Sequence, residues 1–150
     1  MNSTLLRLPA LAISTALAAL MLLTSEAHAG AVIPTEAEFS GYKLSLHNRD
    51  GLCVVVANDK LDINLKIKAP CQFHREPNGK LRVHQTGKNP AFLVEHSIKL
   101  PAPSNDCDTQ IQAIRSVKGK LEASPVASHA AACLPFRWDQ KVFDGLFSPP

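Results

Sequence analysis

The sequence predicts a mainly β fold, a single antiparallel meander closing toward a sandwich or small barrel, with a short C-terminal helix and two disulfides. Apolar residues recur at every second position through much of the stretch from residue 42 to residue 98, as in half-buried strands. Glycine, asparagine and aspartate separate these runs where hairpin turns need them. Four cysteines follow an apolar N-terminal segment, and an even number is typical of disulfide-stabilised exported domains.

The first 29 residues have the composition of a signal peptide. Arg7 is the one basic residue among them, and residues 8–23 are almost wholly apolar. Ala27 and Ala29 stand at the two positions that a signal peptidase reads. We therefore expect cleavage near Ala29 and a periplasmic or secreted product.

The rest of the chain has the size of one domain. A chain of this length buries roughly 65% of its unfolded surface, which supports one hydrophobic core. We expect a lead-in at residues 30–40 and a single β domain at residues 41–150, without a membrane span, because no later run approaches about 20 apolar residues. The net charge of +3 is small and evenly spread, so nucleic acid is not an expected partner.

The four cysteines, Cys53, Cys71, Cys107 and Cys133, are expected to form disulfides. None of them has another cysteine at the spacing of a zinc site, so no metal is predicted there. Three pairings are possible. Sequential pairing is preferred, because each bond then closes a loop of about 20 to 25 residues and stabilises by roughly 3 kcal/mol.

Three strands are predicted at the start of the domain. Their alternating apolar residues are Tyr42, Leu44, Leu46, Leu52, Val54, Val56, Leu61, Ile63, Leu65 and Ile67. A three-residue hairpin in segment 48–51 and a two-residue turn at residues 58–59 would make Leu46 face Val54, and Val54 face Ile63. The ten residues then share one face. The opposite face carries Lys43, Ser45, His47, Cys53, Val55, Asp62, Asn64 and Lys66.

A second hairpin is predicted around residues 76–80, where Pro77 and Gly79 suit a tight turn. Counting outward pairs His74 with Arg82 and Gln72 with His84. Phe73, Leu81 and Val83 then point inward, and the outer face carries Gln72, His74, Lys80, Arg82 and His84. A further strand follows in which Phe92, Val94, His96 and Ile98 share a buried face.

The second half of the domain has weaker patterns. Residues 109–132 fit strand or helix, and strand is favoured because Ile111, Ile114 and Val117 are β-branched and Gly119 suits a hairpin. Residues 127–133 fit a short helix or a packed loop. Asp139 can cap a terminal helix on which Trp138, Val142 and Leu146 share a face.

Two groups of residues are candidate binding sites. His74, Lys80, Arg82 and His84 would lie together on the exposed side of the second hairpin, within reach of an anionic group. The same residues would equally serve as a solvated strand face that resists aggregation. Phe136, Arg137 and Trp138 have the composition of an interface hot spot, or else they pack across the sheet as core.

Signatures of catalysis are absent from the sequence. It has no G-x-S-x-G or H-E-x-x-H motif, and every cysteine has a partner for pairing. His96 shares the phase of buried residues, which indicates a core imidazole. Whether the chain is an enzyme is left open, with a non-catalytic protein favoured, and no catalytic residue, cofactor or metal is predicted.

The sequence favours an exported binding protein. Its expected partner is another exported or envelope protein, as for an inhibitor or protective partner of a secreted enzyme, recognised through loops or an edge strand. The alternative is a binder of an anionic small molecule or envelope polymer through the His/Arg/Lys face. A third possibility is a small hydrolase whose site assembles only in three dimensions, for example around His96.

Overall fold

The computed structural model describes residues 34–148, so the predicted signal peptide and its cleavage site lie outside the described residues. Two antiparallel sheets form the domain. Sheet A has the order β1-β2-β3-β4 and is a simple meander. Its strands are β1 (Glu36–Phe39), β2 (Tyr42–Arg49), β3 (Leu52–Ala57) and β4 (Leu61–Lys68).

Sheet B is built around two long central strands that pair with each other along nine residues. Two short strands lie along the free edge of each long strand, and α1 (Gln140–Phe147) follows the sheet. The strands of sheet B are β5 (Gln72–Phe73), β6 (His84–Thr86), β7 (Asn89–Lys99), β8 (Cys107–Val117), β9 (Lys120–Ala123) and β10 (Ser128–Ala130). β5 and β6 pair with β7, and β9 and β10 pair with β8.

The main core lies between the sheets, with Leu44 and Val55 from sheet A and Phe92 and Ile114 from sheet B. A second cluster lies on the outer face of sheet B, the face turned away from sheet A. Phe143 of α1 is fully buried there. The predicted fold class is confirmed as mainly β with a short C-terminal helix and two disulfides, and the sheets are not closed into a barrel.

The predicted inward face of β3 is wrong, because the register of this strand differs from the prediction by one residue. The first hairpin has two turn residues, with Arg49 opposite Leu52, and the second connection has three, with Ala57 opposite Leu61. One turn is a residue shorter than predicted and the other is a residue longer, so β2 and β4 keep their predicted inward faces. In β3, between these turns, the inward and outward faces are exchanged. Cys53, Val55 and Ala57 therefore face the main core, and the predicted inward residues Leu52, Val54 and Val56 lie on the other face.

The structure also shows strands in three regions whose predicted structure was irregular or ambiguous. The lead-in at residues 30–40 includes β1, which a turn at Ser40 and Gly41 joins to β2. Region 109–132 is strand, as favoured, with its hairpin at Gly119. Residues 127–133 form neither a helix nor only a loop, because β10 pairs there with residues 109–111 of β8.

The second hairpin has the predicted turn, since the Glu76 N–H donates to Lys80 O at 2.8 Å. Its arms pair for two further positions in the predicted register, through the Arg75–Leu81 bridge and the bond from the Arg82 N–H to His74 O at 3.0 Å. They then separate, because β5 and β6 both pair with β7, so the predicted pairing of Gln72 with His84 is wrong. Phe73 is buried as predicted, whereas Val83 is 45% exposed and the prediction that it points inward is wrong. His74, placed on the outer face by the sequence pattern, is 5% exposed.

Side chains of sheet B close the free edge of β4. The Lys66 and Lys68 N–H groups donate to Oε1 of Gln112 and Gln110 at 2.6 and 3.0 Å. His96 Nδ1 lies 2.8 Å from Pro70 O, so it carries the proton and donates. The prediction of a core imidazole at His96 is confirmed. An open strand edge invites pairing with other chains; the two glutamine bonds occupy the edge of β4, and the His96 bond lies just beyond its end.

Replacing Gln112 by alanine tests this closure. The change leaves the Lys66 N–H and the Ser124 carbonyl without their buried partner, so we expect the free energy of unfolding to fall by about 1–3 kcal/mol. Gln85→Ala, at an exposed position in β6, is the matched control and should change it by less than about 0.5 kcal/mol. Urea denaturation of the oxidised proteins measures both, and equal losses in the two variants would contradict the closure.

Both disulfides have the preferred pairing. Cys53 is bonded to Cys71, and Cys107 to Cys133. The first ties the main core to the start of β5, and the second ties the end of β7 and the start of β8 to the C-terminal segment. In the described part of the chain, no helix is long and apolar enough to cross a membrane.

Candidate functional site

An open cleft of about 800 Å³ lies beside the C-terminal segment on the outer face of sheet B. We call it the Glu95 cleft. Its walls come from the N-terminal segment, the start of β5, the loop before β8 and the segment after β10. The lining residues are Thr35, Pro70, Cys71, Gln72, Glu95, Ser97, Lys99, Asn105, Cys107, Cys133 and Leu134.

The floor of the cleft is the polar half of one face of β7. Side chains at alternate positions of a strand share a face. Ala91 and Leu93 on this face belong to the cluster under α1. The next three positions on the same face are Glu95, Ser97 and Lys99, which line the cleft. The face therefore changes from apolar to polar where the helix no longer covers it.

Glu95 is paired with His74 across the sheet. The two side chains are 1% and 6% exposed, and His74 Nδ1 contacts Glu95 Oε1. Their backbones are held in place because β5 pairs with β7 and the His74 N–H donates to Leu93 O at 3.0 Å. Burying a carboxylate is unfavourable unless a partner compensates it, and His74 is that partner.

Ser97 presents an acceptor to the cleft. The Thr109 hydroxyl donates to the Ala132 carbonyl at 2.7 Å, so its single proton is used. The 2.6 Å contact between Ser97 Oγ and Thr109 Oγ1 must then be donated by Ser97. The lone pairs of Ser97 remain on its oxygen, in a cleft that Glu95 also lines.

A smaller apolar hollow of about 200 Å³ adjoins the cleft. We call it the Leu46 hollow, because Leu46 and Ala69 line it, and it shares Thr35, Pro70 and Cys71 with the cleft. Each of the two disulfides contributes to the walls of the cleft. The two depressions therefore share a wall in a covalently braced part of the fold.

Comparisons with protein-family models, curated proteins and solved structures found no match for this chain. The residues of the site are therefore the basis for inferring its function. In the part of the chain that the structure describes, no three histidine, cysteine or acidic side chains are placed to hold a metal ion.

The predicted cationic face is not assembled as one exposed patch. Lys80 is exposed beside the turn, but His74 is buried against Glu95. The Arg82 side chain is 11% exposed, and its Nε lies 3.4 Å from a carboxylate oxygen of Glu76. Of these three predicted anion-binding groups, only Lys80 extends freely into water.

His84 holds the terminal helix. Its Nε2 accepts a hydrogen bond from Arg82 Nε at 3.0 Å, so the ring proton is on Nδ1, which donates to Gln140 Oε1 at 3.0 Å. Its ring also packs on Phe143, with 4.2 Å between ring centroids. In this arrangement the imidazole is neutral, and it docks α1 instead of adding positive charge to the surface.

The C-terminal candidates divide between core and surface. Trp138 is 6% exposed and packs in the cluster under α1, whereas Phe136 is 44% exposed and contacts the Trp138 ring with 4.7 Å between centroids. Arg137 is exposed. Asp139 caps α1 as predicted, accepting a hydrogen bond from the Val142 N–H at 3.2 Å. Trp138 is therefore part of the core, and Phe136 remains available at the surface.

The buried histidines are not arranged with a nucleophile. The Nε2 atoms of His74 and His96 have no hydrogen-bond partner among the described side chains. Activation of a hydroxyl or thiol requires such a contact, so neither His74 nor His96 forms the histidine–nucleophile pair of a hydrolase in the described structure.

Sequence reasoning missed Glu95, Ser97 and Lys99 as a group. Their alternation was visible, because three polar residues occupy every second position directly after Ala91 and Leu93. The sequence pattern did not show that the C-terminal helix covers only the apolar half of this face. That depends on where the C-terminal helix ends over the sheet.

Proposed function

We propose that this chain is an exported, non-catalytic protein-binding module, such as an inhibitor or protective partner of a secreted enzyme. The Glu95 cleft and the Leu46 hollow receive a loop of the partner protein. A cleft with a polar floor next to an apolar hollow suits a peptide segment that presents one polar and one apolar side chain.

The observation that carries this proposal is that Glu95, only 1% exposed, lines an open cleft. A buried carboxylate contributes little to stability, and a well-packed apolar residue is often as good at such a position. An acid held at the floor of an opening is instead suited to orient a bound group. The disulfide-braced walls are pre-organised, which lowers the entropy lost on binding.

Two features support the exported location. Both disulfides pair in the structure, and the described residues contain no free cysteine. Disulfides of this kind persist in oxidising compartments. The leader-like composition of the first 29 residues points to the same compartment.

Capture of partners with matched variants tests the proposal. The oxidised protein is immobilised and exposed to the envelope and secreted fractions of the exporting cell. Gln72→Trp places a bulky side chain in the Glu95 cleft, and Lys80→Trp places the same side chain on the exposed turn of the second hairpin. We expect a protein that the parent and Lys80→Trp retain and that Gln72→Trp loses at least about tenfold, corresponding to a typical single hot-spot loss.

Two outcomes contradict the proposal. Equal retention by all three proteins would exclude the cleft as the docking surface. Loss with Lys80→Trp but not with Gln72→Trp, together with steep weakening by salt, would favour an anionic polymer bound near the second hairpin instead.

A further inference from the structure

We infer that the Glu95 cleft binds a guanidinium group, supplied by an arginine side chain of the partner. The inference rests on the proposed function for the source of the arginine. The chemistry of the site is independent of that source and can be tested with a small probe.

The first argument is the acceptor capacity of Glu95. A carboxylate offers about four lone-pair positions, and His74 Nδ1 occupies one at Oε1. The other neighbours of Glu95 in the cleft include the neutral side chains Gln72 and Ser97. A guest that donates several hydrogen bonds can therefore use the positions that the protein leaves open.

The second argument is that the next group on the same strand face is also an acceptor. Ser97 donates its proton to Thr109, so it offers lone pairs to the cleft. The Cα atoms of Glu95 and Ser97 are two strand residues apart, about 7 Å. A planar guanidinium carries five N–H donors in a fixed fork and reaches separate acceptors, whereas an ammonium is a compact point charge.

Lys99 repels a cationic guest, but this repulsion is weaker than the attraction by Glu95. It is exposed, and it lies four residues along the strand from Glu95, about 13 Å at the Cα atoms. This separation exceeds the Debye length of about 8 Å at physiological ionic strength, so water and salt screen the repulsion. Glu95 would touch the guest in a poorly solvated site, where electrostatic attraction is stronger.

The walls suit the rest of an arginine side chain. Leu134 and the Cys107–Cys133 disulfide line the cleft beside the polar floor. The aliphatic stem of an arginine packs well on such apolar surface while its charged end reaches polar groups. A neighbouring apolar residue of the same loop then has the Leu46 hollow within reach.

The test is a titration of the ¹⁵N-labelled, oxidised protein with three blocked amino acids, followed by amide chemical shifts. The probes are N-acetyl-arginine methylamide, its lysine analogue and its citrulline analogue, which has nearly the shape of arginine without the charge. We expect saturable shifts at Gln72, Glu95, Ser97 and Asn105 with the arginine probe. The citrulline probe should bind at least about tenfold more weakly, because it lacks the charge that strengthens hydrogen bonds to a carboxylate.

Variants assign the effect to the cleft. Glu95→Gln should abolish saturation, and Ser97→Ala should weaken binding roughly threefold to tenfold, as for one lost hydrogen bond. Lys99→Glu changes an exposed side chain, so it should not disturb the fold, and it should strengthen binding. Lys80→Glu makes the same charge change on the remote turn and is the matched control, expected to alter affinity less than about twofold.

Absence of saturable shifts with the arginine probe, equal binding of citrulline, or equal effects of Lys99→Glu and Lys80→Glu would each overturn the guanidinium assignment. The comparison of Lys99→Glu with Lys80→Glu tests the guanidinium assignment even if Glu95→Gln fails to fold. If the arginine probe fails while Gln72→Trp still loses a captured partner, the cleft remains a docking surface and only its ligand class is wrong. If the probe binds and no partner is captured, the proposed function fails and the guanidinium site stands.

Discussion

Replacing His74 by leucine is expected to lower the free energy of unfolding by about 3–5 kcal/mol. The change leaves the Glu95 carboxylate buried without the imidazole that contacts it. A carboxylate in that position has to be protonated or hydrated, and both reduce the stability of the folded state. The effect is large because both side chains are almost fully buried, so solvent compensates only part of the lost contact.

The reverse change should be milder. Glu95→Leu leaves a neutral imidazole whose Nδ1–H has lost its acceptor, and one unpaired neutral donor costs about 1–3 kcal/mol. The double variant His74→Leu/Glu95→Leu removes both polar groups, so its stability should be close to that of the parent. The pair then contributes little net stability, which is the behaviour expected of an acid retained for binding.

Urea denaturation of the four proteins completes this double-mutant cycle. Independent effects, in which the double variant loses the sum of the two single losses, would contradict the coupling. The double variant also separates stability from function. It should be folded, retain both disulfides and fail to bind the arginine probe.

The error in β3 shows what alternation alone can predict. β2 and β4 have one apolar face each, so their orientation could be predicted. Residues 52–57 are apolar at every position, and both faces fit the core equally well. Only the lengths of the two turns distinguish the faces, and asparagine, aspartate and glycine suit turns of two residues and of three. A buried strand therefore has to be oriented by its neighbours, not by its own pattern.

The candidate site was harder to predict for a different reason. The turn of the second hairpin is a local property of residues 76–80, and it was predicted correctly. The burial of His74 depends on β7, which lies about twenty positions later and pairs with β5, so that His74 lies between β7 and the opposing arm. The contact between His74 and Glu95 is thus a consequence of long-range pairing, which sequence spacing does not show.

The terminal helix is expected to matter as much as the His74–Glu95 pair. Phe143→Ala should lower the free energy of unfolding by about 3–5 kcal/mol, because Phe143 is fully buried and packs on His84. The loss removes the contact that fixes α1 to sheet B, so the C-terminal segment should loosen as well. Trp138 lies in the same cluster and is the only tryptophan of the chain, so it reports directly on this segment.

Phe136→Ala is the matched control. Phe136 is 44% exposed and its main described contact is the Trp138 ring, so its removal should cost about 1 kcal/mol. Tryptophan fluorescence during urea denaturation measures both variants, and the folded Phe143→Ala protein should already emit at longer wavelength than the parent. A native spectrum with unchanged stability in Phe143→Ala would mean that α1 is not needed to cover sheet B. The wall that Leu134 and Cys133 give the Glu95 cleft would then be held without α1, by the Cys107–Cys133 bond and the hydrogen bond from Thr109 to the Ala132 carbonyl.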